Sequence, residues 1–322
     1  MLAVYAQSIS RTDPLSGLVV GERPDPEPQQ GWVEVELKAA TLNHHDLWSL
    51  QGVGLPESRL PMILGCDAAG IGPDGQEVIA HSVIPSPGWS GDETLDPKRS
   101  LLSEVHQGTF SERFTVPAAN LVPKPEGMSW ETAASLPTAW LTAYRMLFTN
   151  SGVTPGGLVL VQGAGGGVAT ACIQLGAAAG LRVWVTGRDE AKMERAVELG
   201  AEAAFPSGER LPEKVDAVIE TVGAATWSHS VNVLRPGGAI VIAGATSGDA
   251  PTKAELTKIF FRQLRVIGST MGNRTELLRL AKLMQTAGIE PVIDSTYPLA
   301  DARSAFERLE SGENFGKVAL TA

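Results

Sequence analysis

The pattern of apolar and polar positions changes character part-way along the chain. Before residue 120 or so, short apolar runs are cut by Pro- and Gly-rich turns. This predicts strands at residues 2–7, 18–20, 33–37, 76–81 and 110–116. The run Val33-Glu34-Val35-Glu36-Leu37-Lys38 alternates strictly, so this strand has one wet face. Residues 43–50 predict a short helix. The polar stretch 85–102, rich in Pro, Gly, Ser and Asp, predicts a long surface loop.

From residue 130 the period lengthens. Residues 130–134 and 139–148 read as helical. Apolar strands then follow at 158–161, 182–186, 203–205, 215–220, 239–243 and 264–268, alternating with helices at 168–179, 189–199, 225–234 and 253–263. Six strands joined by helical crossovers predict an α/β domain with a doubly wound parallel sheet. A helix at 276–287, a strand at 291–295, a helix at 299–311 and a strand at 317–320 complete the chain. This tail is expected to return to the first domain. The predicted division is 1–125 with 270–322 as a β-rich domain, and 126–269 as the six-stranded domain.

The strongest local feature is Val159-Leu160-Val161-Gln162-Gly163-Ala164-Gly165-Gly166-Gly167-Val168-Ala169. An apolar run without polar alternation is expected of a parallel strand buried on both faces. The glycines let the backbone turn tightly and approach a ligand, and the helix that follows presents unpaired N–H groups to an anion. The spacing is not G-x-G-x-x-G; it reads as G-x-x-G-x-x-A on Gly163, Gly166 and Ala169. The strand before and the helix after point to a dinucleotide pyrophosphate held by Gly163, Ala164, Gly165, Gly166, Gly167 and Val168.

Charge narrows the partners. The chain has 322 residues and a formal net charge of −10, which argues against nucleic acid or an anionic membrane as the main partner. No apolar run has the length of a bilayer span, and Met1-Leu2-Ala3-Val4-Tyr5 does not read as a signal peptide, so a cytoplasmic location is expected. Two cysteines, Cys66 and Cys172, supply neither a disulfide framework nor a Cys-rich zinc site.

The tip of the second strand of the sheet bears on which nucleotide binds. An NAD-type site places an Asp or Glu there for the ribose 2′-hydroxyl. Here the strand ends Thr186-Gly187-Arg188, with Lys192 one helical turn on and no carboxylate at the tip. An Arg pairs with a 2′-phosphate, so NADP(H) is the expected cofactor. Val222, Gly244 and Ala245, at the ends of later strands, are expected on the nicotinamide side.

Several segments resemble the medium-chain dehydrogenase/reductases, in the group similar to quinone oxidoreductases and zinc-type alcohol dehydrogenase-like proteins. They are Leu42-Asn43-His44-His45-Asp46-Leu47-Trp48, Leu64-Gly65-Cys66-Asp67-Ala68-Ala69-Gly70, the glycine loop, Asp216-Ala217-Val218-Ile219-Glu220-Thr221-Val222-Gly223, Gly268-Ser269-Thr270-Met271-Gly272 and Phe315-Gly316-Lys317-Val318. The resemblance runs nearly end to end. It implies a GroES-like β domain, a Rossmann domain, hydride transfer in the cleft between them, and usually a homodimer. It also implies cofactor contacts at Ser269, Thr270 and Asn314. Zinc-dependent members carry three catalytic ligands. The corresponding positions here hold Asn43, Cys66 and Thr138, and the structural zinc lobe is absent, so no zinc is expected.

Without zinc, hydrogen-bond donors must meet the oxyanion formed by hydride transfer, and a proton must be supplied. Asn43 is the candidate donor, although a structural amide at the turn is the competing reading. His44 and His45 are candidate proton donors by their pKa range, and neighbours on a helix point in different directions. Thr138 is a candidate hydroxyl near the nicotinamide. Cys66 and Cys172 read as core, and His81, His106 and His229 as structural or surface residues. The apolar run Leu264-Arg265-Val266-Ile267-Gly268 is an expected sheet edge, and pairing with its copy predicts a dimer. The expected activity is a zinc-free, NADPH-dependent reduction of a quinone, enone or small aldehyde. The alternatives are an alcohol dehydrogenase with an atypical metal site and a non-catalytic NADPH-binding structural or sensor protein.

Overall fold

In the computed structural model, which describes residues 1–322, the chain divides into two compact units. The first comprises Met1–Leu141 and Gly272–Ala322, the second Thr142–Met271.

The first unit is built on β1 (Leu2–Ala6), β2 (Leu18–Glu22), β3 (Trp32–Thr41), α1 (His44–Leu50), β4 (Met62–Ile63), β5 (Ala68–Ile71), β6 (Glu77–Ala80), β7 (Val83–Ile84), β8 (Ser100–Leu101), β9 (Arg113–Pro117), β10 (Leu121–Pro123) and α2 (Trp130–Ser135). A one-turn α3 (Leu141–Tyr144), flanked by π-helical turns at Leu136–Trp140 and Arg145–Asn150, carries the chain onward.

The second unit holds β11 (Leu158–Gln162), α4 (Gly167–Ala178), β12 (Arg182–Gly187), α5 (Glu190–Glu198), β13 (Ala203–Pro206), β14 (Val215–Glu220), α6 (Trp227–Val233), β15 (Leu234–Ile242), α7 (Leu256–Phe261) and β16 (Arg265–Gly268). The chain then re-enters the first unit as α8 (Arg274–Ala287), β17 (Ile293–Pro298), α9 (Ala302–Glu310) and β18 (Lys317–Thr321).

The fold is GroES-like in the first unit and Rossmann-like in the second. The six strands of the second unit are all parallel, in the order β13-β12-β11-β14-β15-β16. All five residues of β11 are buried, as its apolar run demands, and it lies between β12 and β14 in the sheet. Leu158, Leu160, Trp184, Val218 and Ile240 form part of the core beside it. At the open edge β16 is largely exposed, because its outer side has no strand to pair.

In the first unit the largest sheet runs β10-β6-β5-β3-β18-β17, with β9 also on β3. β3 is longer than its alternating stretch, yet that stretch behaves as expected. Val35 and Leu37 are buried while Glu34 and Glu36 are exposed. The C-terminal β18 pairs antiparallel with the end of β3, Ala319 opposite Thr41. That register delivers Lys317 to the start of α1. Phe110 and Phe306 meet edge to face in the core, with ring centroids 6.2 Å apart.

Some boundaries differ from the sequence pattern. β4, β5 and β10 are strands whose short runs gave no signal. The helix expected at 253–263 is confined to Leu256–Phe261, and the strand expected at 291–295 is Ile293–Pro298. The stretch 85–102 is not uniformly a surface loop. Asp96 is buried and accepts the Ser86 and Lys98 backbone N–H groups at 2.6 and 2.8 Å, which folds the segment around one carboxylate.

Candidate functional site

In the second unit the candidate residues gather at the carboxyl ends of the parallel strands, where ligands of such sheets sit. Gly163 leaves β11 with φ of 101°, a conformation open to glycine and costly to other residues. Gly166 then caps α4 without any side-chain cap. The first N–H groups of α4 therefore lack an intrahelical partner, and the positive end of the helix dipole faces outward. A side chain built on Gly163 or Gly166 would meet nothing within 4 Å, so the space before the loop is open. Ala164 and Gly165 are buried, while Gly167 and Val168 are half-buried at the start of the helix.

β12 ends at Gly187, and Arg188 is exposed beyond it. Asp189 caps α5 through the Lys192 backbone N–H at 3.0 Å. A cavity of about 520 Å³ opens here, lined by Gly187, Arg188, Glu190, Met193, Pro206 and Ser207. Lys192 is half-buried on α5 and does not line it. The Thr186 side chain is fully buried, and its hydroxyl donates to Gln162 Oε1 at 2.6 Å, so it faces into the protein rather than toward a ligand.

Val222, Gly244 and Ala245 are half-buried beyond β14 and β15. The two turns pack closely, since a Cβ on Gly223 would stand 2.9 Å from Ala245 Cα. Ser269 is fastened by its N–H to Ile242 O at 2.8 Å and accepts from Asn150 Nδ2 at 3.0 Å, while Thr270 is exposed.

In the first unit a polar cluster lies under the start of α1. Asn43 is almost wholly buried. Its Nδ2 donates to Asp67 Oδ2 at 2.7 Å, and its Oδ1 accepts from Lys317 Nζ at 2.6 Å. Lys317 Nζ also donates to Leu42 O at 2.7 Å and lies 3.2 Å from Asp67. The Thr41 hydroxyl donates to the same Asp67 oxygen at 2.8 Å. The Asn43 amide is thus engaged at both ends, by the Asp67 carboxylate and by the Lys317 ammonium.

His44 is exposed, its ring 6.3 Å from that of Trp48 one turn on. His45 turns inward. Its Nε2 lies 2.9 Å from Glu104 Oε1 and its Nδ1 3.4 Å from Cys66 Sγ, with Asp46 Oδ1 at 3.9 Å. The Cys66 thiol donates to Leu102 O at 3.3 Å. Burial alone would lower the His45 pKa, but Cys66, Asp46 and Glu104 outweigh it and hold the imidazole well above its ordinary value. Burial pushes the Cys66 thiol up, against the opposing pull of His45. Cys66 is therefore core, as expected, yet core with a histidine on its sulfur.

Thr138 sits in the π-helical turn Leu136–Trp140, and its hydroxyl is buried without a partner. Such turns recur at functional sites. Asn314 is buried in the first unit and donates to Gly316 O at 3.0 Å. His81 is buried with neither ring nitrogen bonded, and burial pushes its pKa down to about 4.

Sequence reading missed Lys317 and Glu104 in the first unit, and Gln162, Glu220 and Ser230 in the second. A signal was present for three of them. Gln162 and Glu220 end apolar runs, and Lys317 opens one, and a polar residue in line with a buried strand needs a partner.

Comparison with known proteins agrees with this architecture. The family model described as "Alcohol dehydrogenase GroES-like domain" matches residues 29–126, and the one described as "Zinc-binding dehydrogenase" matches residues 192–320. The chain is 31% identical to the zinc-type alcohol dehydrogenase-like protein YogA of Leptosphaeria maculans, over 94% of this chain and 93% of that protein. It is also 31% identical to an acryloyl-coenzyme A reductase of Metallosphaera sedula, over 95% of this chain and 96% of that one. Among solved structures it superposes on an NAD-dependent alcohol dehydrogenase with a TM-score of 0.92 and 34% identity, covering 100% of both chains.

Proposed function

Because the chain belongs to the medium-chain dehydrogenase/reductase family, and is an NAD(P)H-dependent oxidoreductase of that type, we propose that it is an NADPH-dependent reductase of an activated carbon–carbon double bond or a quinone, working without zinc. The observation that carries the reading is the donor set at the three positions where zinc-dependent members have ligands. A catalytic zinc takes three converging N, S or O ligands. Here Asn43 offers an amide whose oxygen already accepts from the Lys317 ammonium, Thr138 offers a hydroxyl, and the Cys66 sulfur is engaged by His45 and Leu102. These residues do not fit zinc.

When bound, the nicotinamide would supply a hydride for the β-carbon of an enone or enoyl thioester. The π electrons pass to the carbonyl oxygen, and the resulting enolate takes a proton at its α-carbon. In the second unit, the loop from Gly163 to Val168 would hold the pyrophosphate of the nucleotide, and Arg188 would pair with its 2′-phosphate. Within the first unit, the candidate hydrogen-bond donor is the Thr138 hydroxyl, and the candidate proton source is His44 or His45. The acryloyl-coenzyme A reductase among the relatives favours enoyl substrates over simple aldehydes. Two copies pair through the outer edge of β16, where Val266 is exposed and Phe260 and Phe261 of α7 lie open nearby in the sequence.

The test is oxidation of NADPH and of NADH against a panel of enones, enoyl thioesters, quinones and aldehydes. NADPH with an enone, enoyl thioester or quinone should give the highest kcat/KM. Turnover confined to alcohols and NAD would refute the proposal, and tight NADPH binding with no turnover would identify a binding protein instead.

A further inference from the structure

Glu220 ends β14 and is 1% exposed, with no Lys or Arg bonded to its carboxylate. Donors meet it instead. Oε1 accepts the Val222 and Gly223 N–H groups at 2.8 and 3.0 Å, and the Thr226 hydroxyl lies 2.9 Å from each oxygen. Oε2 accepts the Ser230 hydroxyl at 2.6 Å. Two of these donors are the backbone of the turn that follows β14. That turn has little freedom to relax, since Gly223 has φ of 91° and a Cβ there would stand 2.5 Å from Gly248 O.

The bonds continue away from Glu220 in one chain. Ser230 gives its proton to the carboxylate, so its oxygen accepts from Gln162 Nε2, 2.9 Å away. The second Gln162 amide hydrogen points to His229 Nδ1 at 2.9 Å, so that nitrogen carries no proton, and His229 Nε2 donates to Glu209 O at 2.8 Å. Gln162 Oε1 is left to accept the Thr186 hydroxyl at 2.6 Å. The orientation of every member follows from its neighbours. None of their side-chain polar atoms is buried without a partner. A fully satisfied buried network of this kind holds one geometry.

The chain touches the ends of three adjacent strands. Thr186 precedes Gly187 and Arg188, Gln162 precedes Gly163, and Glu220 holds Val222 and Gly223. We infer that Glu220 is a positioning residue for hydride transfer: it fixes the Val222–Gly223 turn on the nicotinamide side, and through Ser230 and Gln162 it is linked to Thr186 on the adenosine side. This rests on the reading that the second unit binds a nicotinamide dinucleotide. A turn held in place before the ligand arrives lowers the ordering cost of reaching a reactive geometry.

The experiment compares Glu220→Gln, Thr186→Val and the double variant with wild type. It measures kcat for NADPH oxidation on the best substrate of the panel, Kd for NADPH, and Kd for 2′-phosphoadenosine 5′-diphosphoribose by calorimetry. Glu220→Gln keeps the shape and loses the all-acceptor carboxylate. It should lower kcat about tenfold while leaving the Kd of the fragment, which lacks nicotinamide, within about twofold, since a rigid contact at 1.4 kcal/mol corresponds to one decade. Thr186→Val removes only the hydroxyl, Thr186→Ser should behave as wild type, and the effects of the two lesions on kcat should be less than multiplicative because they cut one chain. Should Glu220→Gln fail to fold, Ser230→Ala cuts the same chain and is read in the same way. An unchanged kcat, or multiplicative effects, overturns the inference while wild-type binding stands. Failure of wild type to bind either nucleotide overturns the inference together with the reading beneath it.

Discussion

The two units hold their candidate residues by different means. In the second, the work falls to backbone: the turn at Gly163, the uncapped start of α4 and the turn at Gly223. In the first it falls to side chains that meet across the fold, with Lys317 reaching Asn43 over a separation of 274 residues. Backbone sites are written locally, in glycines and apolar runs, and here the Glu220 carboxylate braces one of them from behind. A side-chain cluster is written in no single segment and fails when one member is removed. The predictions that follow probe this difference, each acting on one unit.

Lys317→Met should have the largest effect. It leaves the fully buried Asp67 carboxylate without its cation, and removing one partner of a buried pair costs about 3–5 kcal/mol. Urea unfolding should show that loss, while NADPH binding under native conditions should persist. A loss below 1 kcal/mol or so would mean the cluster is not what holds the start of α1.

His81 gives the first unit an acid limit. Its native pKa is lowered to about 4, so the folded state keeps it neutral while the unfolded state protonates near pH 6.5. At higher pH it contributes no pH dependence. As pH falls from about 6.5 toward 4 the unfolded state gains the proton first, and stability declines by up to about 3 kcal/mol at 1.4 kcal/mol per unit. Thermal melts of His81→Leu against wild type between these limits should show a shallower acid slope in the variant. Parallel curves would remove His81 from the account.

Arg188→Asp acts on the second unit. Replacing a phosphate-pairing cation by a repelling anion should raise the KM for NADPH by about 10- to 100-fold, from 1.5–3 kcal/mol for a charged hydrogen bond. The KM for NADH should change little. Equal effects on both would show that Arg188 does not read the 2′-phosphate. NAD preference in the wild type, as in the NAD-dependent structural neighbour, would show the same.

Glu104→Gln should have the smallest effect. The raised His45 pKa means its ion pair stabilises the protein fully below about pH 6.5, and that contribution is lost as pH rises through the raised native value. With Glu104 partly exposed, the variant should lose under about 1 kcal/mol at pH 6, and less at high pH. A loss that grows with pH would reverse the sign and exclude an imidazolium at His45.

What was legible in the sequence follows the same division. The parallel sheet, the glycine loop, the cap at Asp189 and the bare strand tip at Arg188 are local patterns, and all are visible in consecutive residues. The Thr186 hydroxyl illustrates the limit, since a strand-tip hydroxyl looks the same in sequence whether it faces a ligand or Gln162. Asn43 was singled out, but its engagement was hidden, because Lys317 arrives through the pairing of β18 with β3. His45 and Glu104 meet through loops with no periodic signature. Sequence named the residue types at these places, and tertiary contact decided which groups remained available.

The claim beneath both halves of the comparison is that the first unit manages its chemistry without a metal ion. Elemental analysis of the purified protein, with reductase activity assayed before and after exhaustive chelation on the same sample, tests it most directly. A metal-free first unit should yield far less than one zinc per chain and unchanged turnover. One zinc per chain, with activity lost on chelation and restored by zinc, would contradict it.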